Sequence, residues 1–398
     1  MDLYLQFGHG MMAHTVELIS NWGGGGVILS PRDMTEPQMV RTAEQVKENG
    51  GAVLLDPQCY AYDCDHARLR SHAYWKIFHT NAAASFQGGP GTAAVLEKLA
   101  ELNRNVGATA CILPGPIASP ISDDWFASQE SVINEAPDHF RDTSLFATIA
   151  ISNASMNDEA QIEAVVERVS KWKVSGLYIV AEHPGDYLVS QPGWLANLLI
   201  LVSGLKLLGR QVIVGYSSHQ MLCLAAAKAD VIASGTWLNV RAFPIDKFYA
   251  PGPEDTSRRT TWYYCPQALS EFTIEFLDIA LRQGVLGDMA SPPEIISRYA
   301  APLFSGAAPT SVAWGEQNAF RHYLTCLRQQ AASSTQATLA ATIDHHHKLL
   351  DQAEALLRNL HAKGVRGRDR DFWPILDVNR AAMAVFSAAR EQRLSRAW

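Results

Sequence analysis

The chain has 398 residues, 47% of them hydrophobic and 18% charged, which fits a globular protein with a sizeable core and excludes a disordered or fibrous one. A net charge of −7 does not announce non-specific nucleic-acid binding over the whole surface. The charge is uneven, however: from Ser311 onward 12 Lys and Arg face 8 Asp and Glu, leaving 21 against 32 before it. A mildly basic tail on an acidic body fits either a phosphate-facing appendage or a solvated helical surface.

Residues 1–7 have no basic start, and Asp2, Gln6 and His9 interrupt any apolar run, so no secretory signal is expected. Short apolar runs then recur along the chain: 3–7 (LYLQF), 27–30, 52–56, 109–114, 146–151, 176–181, 211–215 and 230–234. Each reads as a strand, and the stretches between them carry helical periods. Residues 36–49 place Val40, Ala43 and Val46 on one face, and residues 158–172 do the same with Ile162, Val165, Val166 and Val169. Eight alternating units within about 240 residues predict a (β/α)8 TIM barrel over residues 1–310. An open doubly wound sheet would carry a glycine-rich turn after its first strand, whereas GGGG at 23–26 precedes a strand. QGGPG at 87–91 opens a helix, either as a plain start or as a set of N–H groups facing an anion.

Residues 194–208 are the most apolar stretch. Asn197, Ser203 and Lys206 break it, and it is shorter than the roughly 20 residues of a membrane span. It reads as a buried barrel helix, and the chain as cytoplasmic with no membrane partner. Residues 211–241 then read as strand, helix (220–229) and strand, the length of a right-handed parallel crossover. From residue 311 the pattern changes to long helical periods at 314–330, 336–360 and 372–392, a C-terminal helical module over 311–398 that offers a face to a protein partner. His345, His346 and His347 would point roughly 100° apart on a helix and cannot converge on one ion. No metal and no cofactor is expected. The loop carrying Lys363, Arg366, Arg368 and Arg370 is the better phosphate contact. Cys59, Cys64, Cys111, Cys223, Cys265 and Cys326 have irregular spacings, which predicts free thiols.

In a parallel barrel, chemistry sits past the carboxyl ends of the strands. Those positions hold Arg32; Asp56, Gln58 and Tyr60; Glu182 and His183; Tyr216 and His219; and Trp237, Asn239 and Arg241. Asp56 ends an apolar strand, and Pro57 stops a helix from starting at once, so its carboxylate projects into the pocket. There it is a nucleophile or general base, or else the partner of Arg32 or Arg241 in a salt bridge. Glu182 and His183 are candidates for proton transfer. Arg32, Gln58, Tyr60, Tyr216, His219, Trp237, Asn239 and Arg241 complete a polar, substrate-binding ring.

The order of these segments resembles the tRNA-guanine transglycosylases and their DNA-modifying relatives. VIVGYSSHQMLCLAAAKADVIASG is similar to the family's seventh and eighth strands, AVLLDPQCY to the third and GLYIVAEHPG to the sixth. The resemblance covers roughly the first 250 residues as a matching order of segments, and implies a barrel that exchanges a purine-type base in a nucleic acid. It places Asp56 on a catalytic aspartate and Glu182 in the pocket. At the family's eighth-strand nucleophile this chain has Ala233 or a neighbour, its base-reading aspartate falls near Leu113 or Pro114, and the three-cysteine zinc set is missing. Two functions follow: a pentosyltransferase-like enzyme acting on a nucleoside, DNA or tRNA, with Asp56 at the anomeric carbon, or a catalytically silent barrel that binds nucleic acid or serves assembly.

Overall fold

A computed structural model describes residues 1–61, 63–80, 82, 84–249 and 260–398. Eight parallel strands run β3-β2-β1-β9-β8-β7-β6-β4 around a nearly closed barrel. They are β1 (Asp2–Gln6), β2 (Gly25–Leu29), β3 (Gly51–Leu55), β4 (Cys111–Ile112), β6 (Leu145–Ile151), β7 (Gly176–Ala181), β8 (Gln211–Val214) and β9 (Val231–Ser234). The short β5 (Ile117–Ala118) pairs with β6 beyond β4. Thr109 brings β3 to β4, donating its backbone N–H to the Val53 carbonyl at 2.8 Å. The fourth strand is split because Pro114-Gly115-Pro116 offers no N–H at its two prolines, so the ladder resumes only at Ile117.

The helices are α1 (Met12–Trp22), α2 (Glu36–Glu48), α3 (Ala73–Thr80), α4 (Pro90–Val106), α5 (Asp123–His139), α6 (Asn153–Met156), α7 (Glu159–Val169), α8 (Pro192–Leu207), α9 (Ile274–Arg282), α10 (Glu316–Ser334), α11 (Leu339–Ala362) and α12 (Leu376–Ala397). A hairpin of β10 (Trp262–Cys265) and β11 (Ser270–Thr273) lies between β9 and α10. Local chemistry sets several of these starts. Thr35 and Gln38 form a capping box on α2, while Ser122 and Asp158 cap α5 and α7.

The barrel interior is filled by pairing large rings with glycines on neighbouring strands. A Cβ on Gly26 would lie 2.4 Å from the Tyr4 ring, one on Gly176 2.3 Å from Phe146, and one on Gly215 2.6 Å from the Tyr178 hydroxyl. GGGG at 23–26 therefore has packing and turn roles: Gly23 ends α1 in the left-handed conformation and Gly26 makes room for a ring. Gly176→Ala is expected to cost roughly 1–3 kcal/mol through overpacking against Phe146. An unchanged midpoint of urea unfolding would show that the ring has room to retreat.

One feature differs from the sequence reading. Residues 220–229 form no α-helix; a 3-10 stretch, His219–Ala225, makes the crossover from β8 to β9, and every residue from His219 to Ala227 is buried. A regular barrel helix keeps one face in water, whereas this stretch is covered on its outer side as well. α11 packs on it, α12 packs on α8 and α11, and Lys228 Nζ donates to the Ala397 carbonyl at 2.9 Å. Residues after 310 also touch the barrel directly. α10 packs on β1 and α1, and Arg328 Nη1 donates to the Gly24 carbonyl at 2.8 Å, so α10 occupies the place of the eighth barrel helix.

The apolar segment 194–208 is helix α8, buried nearly all round between the sheet and α12. No helix among the described residues is long and apolar enough to cross a membrane. All six cysteines are free and buried.

Candidate functional site at the barrel mouth

Asp56 follows β3 and is fully buried. Its Oδ1 accepts from the Tyr60 hydroxyl at 2.7 Å and the Gln58 backbone N–H at 2.9 Å. Its Oδ2 accepts from the hydroxyls of Tyr216 at 2.9 Å and Tyr178 at 3.2 Å. The Tyr178 hydroxyl also lies 3.1 Å from Gln6 Oε1, so β1, β3, β7 and the turn after β8 meet at one carboxylate. Gln58 is held at φ 57 and extends the network: its Nε2 donates to Ser30 Oγ at 2.9 Å, and its Oε1 accepts the Arg32 backbone N–H at 2.8 Å. Burial pushes the Asp56 carboxyl up, against hydrogen bonds from Tyr60, Tyr216 and Gln58 and the charge of Lys247, which favour its ionised form. Burial, and then the Asp56 charge, push the hydroxyls of Tyr60, Tyr178 and Tyr216 well above the usual tyrosine range. They act as neutral donors.

Asp56 forms no salt bridge with Arg32 or Arg241. Arg32 turns outward to Asp33 at 3.2 Å and donates through Nη2 to the Lys247 carbonyl at 2.8 Å. That second bond fastens the segment 238–249 over the network. Phe243 packs edge-on to Tyr60 with centroids 5.1 Å apart, and Lys247 Nζ lies 3.7 Å from the Tyr216 ring centre. Burial and the neighbouring Arg32 push the Lys247 amine well below the usual lysine range.

A second cluster lies after β9. Arg241 is buried, donates through Nε to the Gly235 carbonyl at 2.9 Å, and reaches both oxygens of buried Glu271 at 3.2 Å. Arg370 Nη1 donates to Glu271 Oε2 at 2.9 Å. The Arg241 guanidinium lies 3.5 Å from the Tyr323 ring centre, and that of Arg370 lies 4.0 Å from Trp262. Burial opposes charge on Glu271, yet Arg370 and Arg241 hold its carboxyl down at about 2. Beside this cluster a cleft of about 50 Å³ is lined by Thr236, Trp237, Arg241, Trp262, Tyr323 and Arg370 among others.

The predicted site residues thus divide. Arg32, Gln58, Tyr60 and Tyr216 join Asp56, and Trp237 and Arg241 line the cleft. His219 is buried in an aromatic cage beside the cleft, with its ring centroid 5.0 Å from that of Tyr264. Asn239 is exposed, and its carbonyl accepts from Lys247 Nζ at 3.0 Å. Glu182 and His183 belong to neither group. Glu182 Oε2 accepts the Asn153 N–H at 2.7 Å at the start of α6, and His183 stacks on Trp194 with Nε2 3.0 Å from the Tyr187 carbonyl. Burial pushes His183 down to about 4.

Sequence reasoning missed Gln6, Tyr178 and Glu271. Gln6 and Tyr178 sit within strands read only as apolar runs, although their alternation with outward-facing neighbours was a usable signal. Glu271 lies in the excursion after β9, where no strand order guided the eye. The turn 87–91 is an ordinary helix start, whose Gly89 N–H donates to Glu135 of the same chain at 3.1 Å. Among the described residues no group of three or more His, Cys, Asp or Glu is placed to hold a metal ion.

No family model and no curated protein matches this chain. Fold and site define it as a (β/α)8 barrel whose mouth holds a tyrosine-saturated aspartate beside an arginine-lined aromatic cleft.

Proposed function

We propose that the protein is a transglycosylase-like barrel that binds a nucleobase-bearing ligand, a nucleotide or nucleic acid, without exchanging its base. The observation that carries this is the saturation of Asp56. A nucleophilic carboxylate needs a free lone pair and a line of approach to the anomeric carbon. Here four donors occupy its two oxygens, Tyr60 and Phe243 pack above it, and the residue is fully buried. The missing eighth-strand carboxylate supports the same reading, since the position corresponds to Ala233 or its neighbours. Binding is supported by the arginine and aromatic side chains around the cleft, the groups that hold phosphates and stack on bases.

One observation favours a second reading, an enzyme whose cover opens. The segment 238–249 is built of two short 3-10 pieces, Leu238–Val240 and Ile245–Phe248, and is tied to Arg32 through the Lys247 carbonyl. The deciding experiment offers labelled guanine and a deazaguanine base, with DNA and tRNA, to the protein and to Asp56→Asn, and records nucleic-acid retention in the same samples. Retention without incorporation is expected. Incorporation that vanishes in Asp56→Asn would overturn the silent reading and make Asp56 essential.

A further inference from the structure

We infer that the cleft beside Arg241 is an oxyanion site that receives the phosphate group of the ligand; the inference rests on the reading above only for what carries that phosphate. The placement of charge is the first ground. The guanidinium groups of buried Arg241 and partly buried Arg370 both line the cleft, with the Glu271 carboxylate between them. Glu316 also lines the cleft and has an interaction of its own, so the two arginines are matched in number and what favours an anion is where their N–H groups lie.

Hydrogen bonding is the second, independent ground. Thr236 is 2% exposed and its Oγ1 has no partner; Arg370 Nε is likewise buried without one, and both residues line the cleft. Buried donors without acceptors are costly, and phosphate oxygens would supply what both lack.

Size is the third. About 50 Å³ holds one oxyanion group and is far too small for a whole nucleotide. The remainder of the ligand would lie outward across Trp237 and Phe320, whose rings meet edge-on at 4.9 Å.

The test is calorimetric titration with inorganic phosphate, guanosine 5′-monophosphate, guanosine and a 5′-phosphorylated oligonucleotide, using the protein, Thr236→Val and Arg370→Gln. Thr236→Val keeps the shape and removes a hydroxyl that has no partner, so its melting temperature should stay level or rise. The monophosphate should bind at least tenfold more tightly than guanosine, and Thr236→Val should weaken it roughly five- to tenfold. Equal affinities for the monophosphate and guanosine, or unchanged affinities in Thr236→Val, would overturn the site. An oligonucleotide held equally by all three proteins would also overturn it while leaving nucleic-acid binding intact. If phosphate and the monophosphate bind in a Thr236-dependent way and nucleic acid is not retained, the site stands and the broader reading fails.

Discussion

The melting temperature of this protein is expected to fall steeply as pH drops from about 6.5 to 4, well before most carboxylates are protonated. The cause is a set of histidines buried in their neutral form. Burial pushes His219 and His322 down to about 4 and His346 down to about 3. His322 illustrates why: one ring nitrogen lies 2.8 Å from the Tyr264 carbonyl and the other 2.8 Å from Ser297 Oγ, so the neutral ring is satisfied, and burial disfavours the charge that a second proton would bring. The sign follows from linkage. A base whose folded pKa is depressed contributes stability that is complete above its unfolded value near 6.5 and is lost as pH falls toward the folded value. At roughly 1.4 kcal/mol per pKa unit, each of these three contributes on the order of 3 kcal/mol. Together they rival the whole stability of about 5–15 kcal/mol usual for a native protein. Asp56 works the other way, because its raised pKa favours the folded state on acidification, but it is one group against several. Melting curves recorded by circular dichroism from pH 8 to 4 decide the matter. A level melting temperature down to pH 4.5 would show that these histidines take up protons while folded.

Glu271→Gln is expected to destabilise the fold by about 3–5 kcal/mol, the range for removing one partner of a buried ion pair. Arg241 would keep hydrogen-bond acceptors in the new amide oxygen and the Gly235 carbonyl, but would lose its buried counter-charge. Arg370→Gln should cost less, because Arg241 still neutralises Glu271 and Arg370 is the more exposed of the two arginines. Midpoints of guanidinium unfolding order the two variants. A loss below 1 kcal/mol for Glu271→Gln would mean that water reaches Arg241 and that the cluster is not dry.

The barrel was legible because eight apolar runs separated by helical periods admit few other architectures. What sequence could not show was how much each crossover contributes. An alanine-rich segment such as 220–229 has high helix propensity, yet it runs as a 3-10 stretch buried on both sides, and nothing within the segment reports the helices that will cover it. The helix that packs on β1 and α1 is hard to recognise in the sequence for a related reason. More than 70 residues and a hairpin separate β9 from α10, so the pattern break at 311 looked like the edge of a module. The site was half legible. Residues that follow strand ends, such as Asp56, Gln58, Tyr60 and Tyr216, could be named from position alone. Their saturation of one another could not, because it depends on Tyr178 reaching across the barrel from a strand that looked uniformly apolar.

The thin crossover between β8 and β9 also bears on how the molecule is made. Lys228 meets Ala397 across 169 residues, and the wall behind β8 is finished by α11 and α12. During synthesis at roughly 5–20 residues per second, the stretch His219–Ala227 would emerge many seconds before the helices that shield it. For that interval a nascent chain would present a largely apolar seam, Met221–Ala227, to solvent or to a chaperone, and the final turns of α12 would close it.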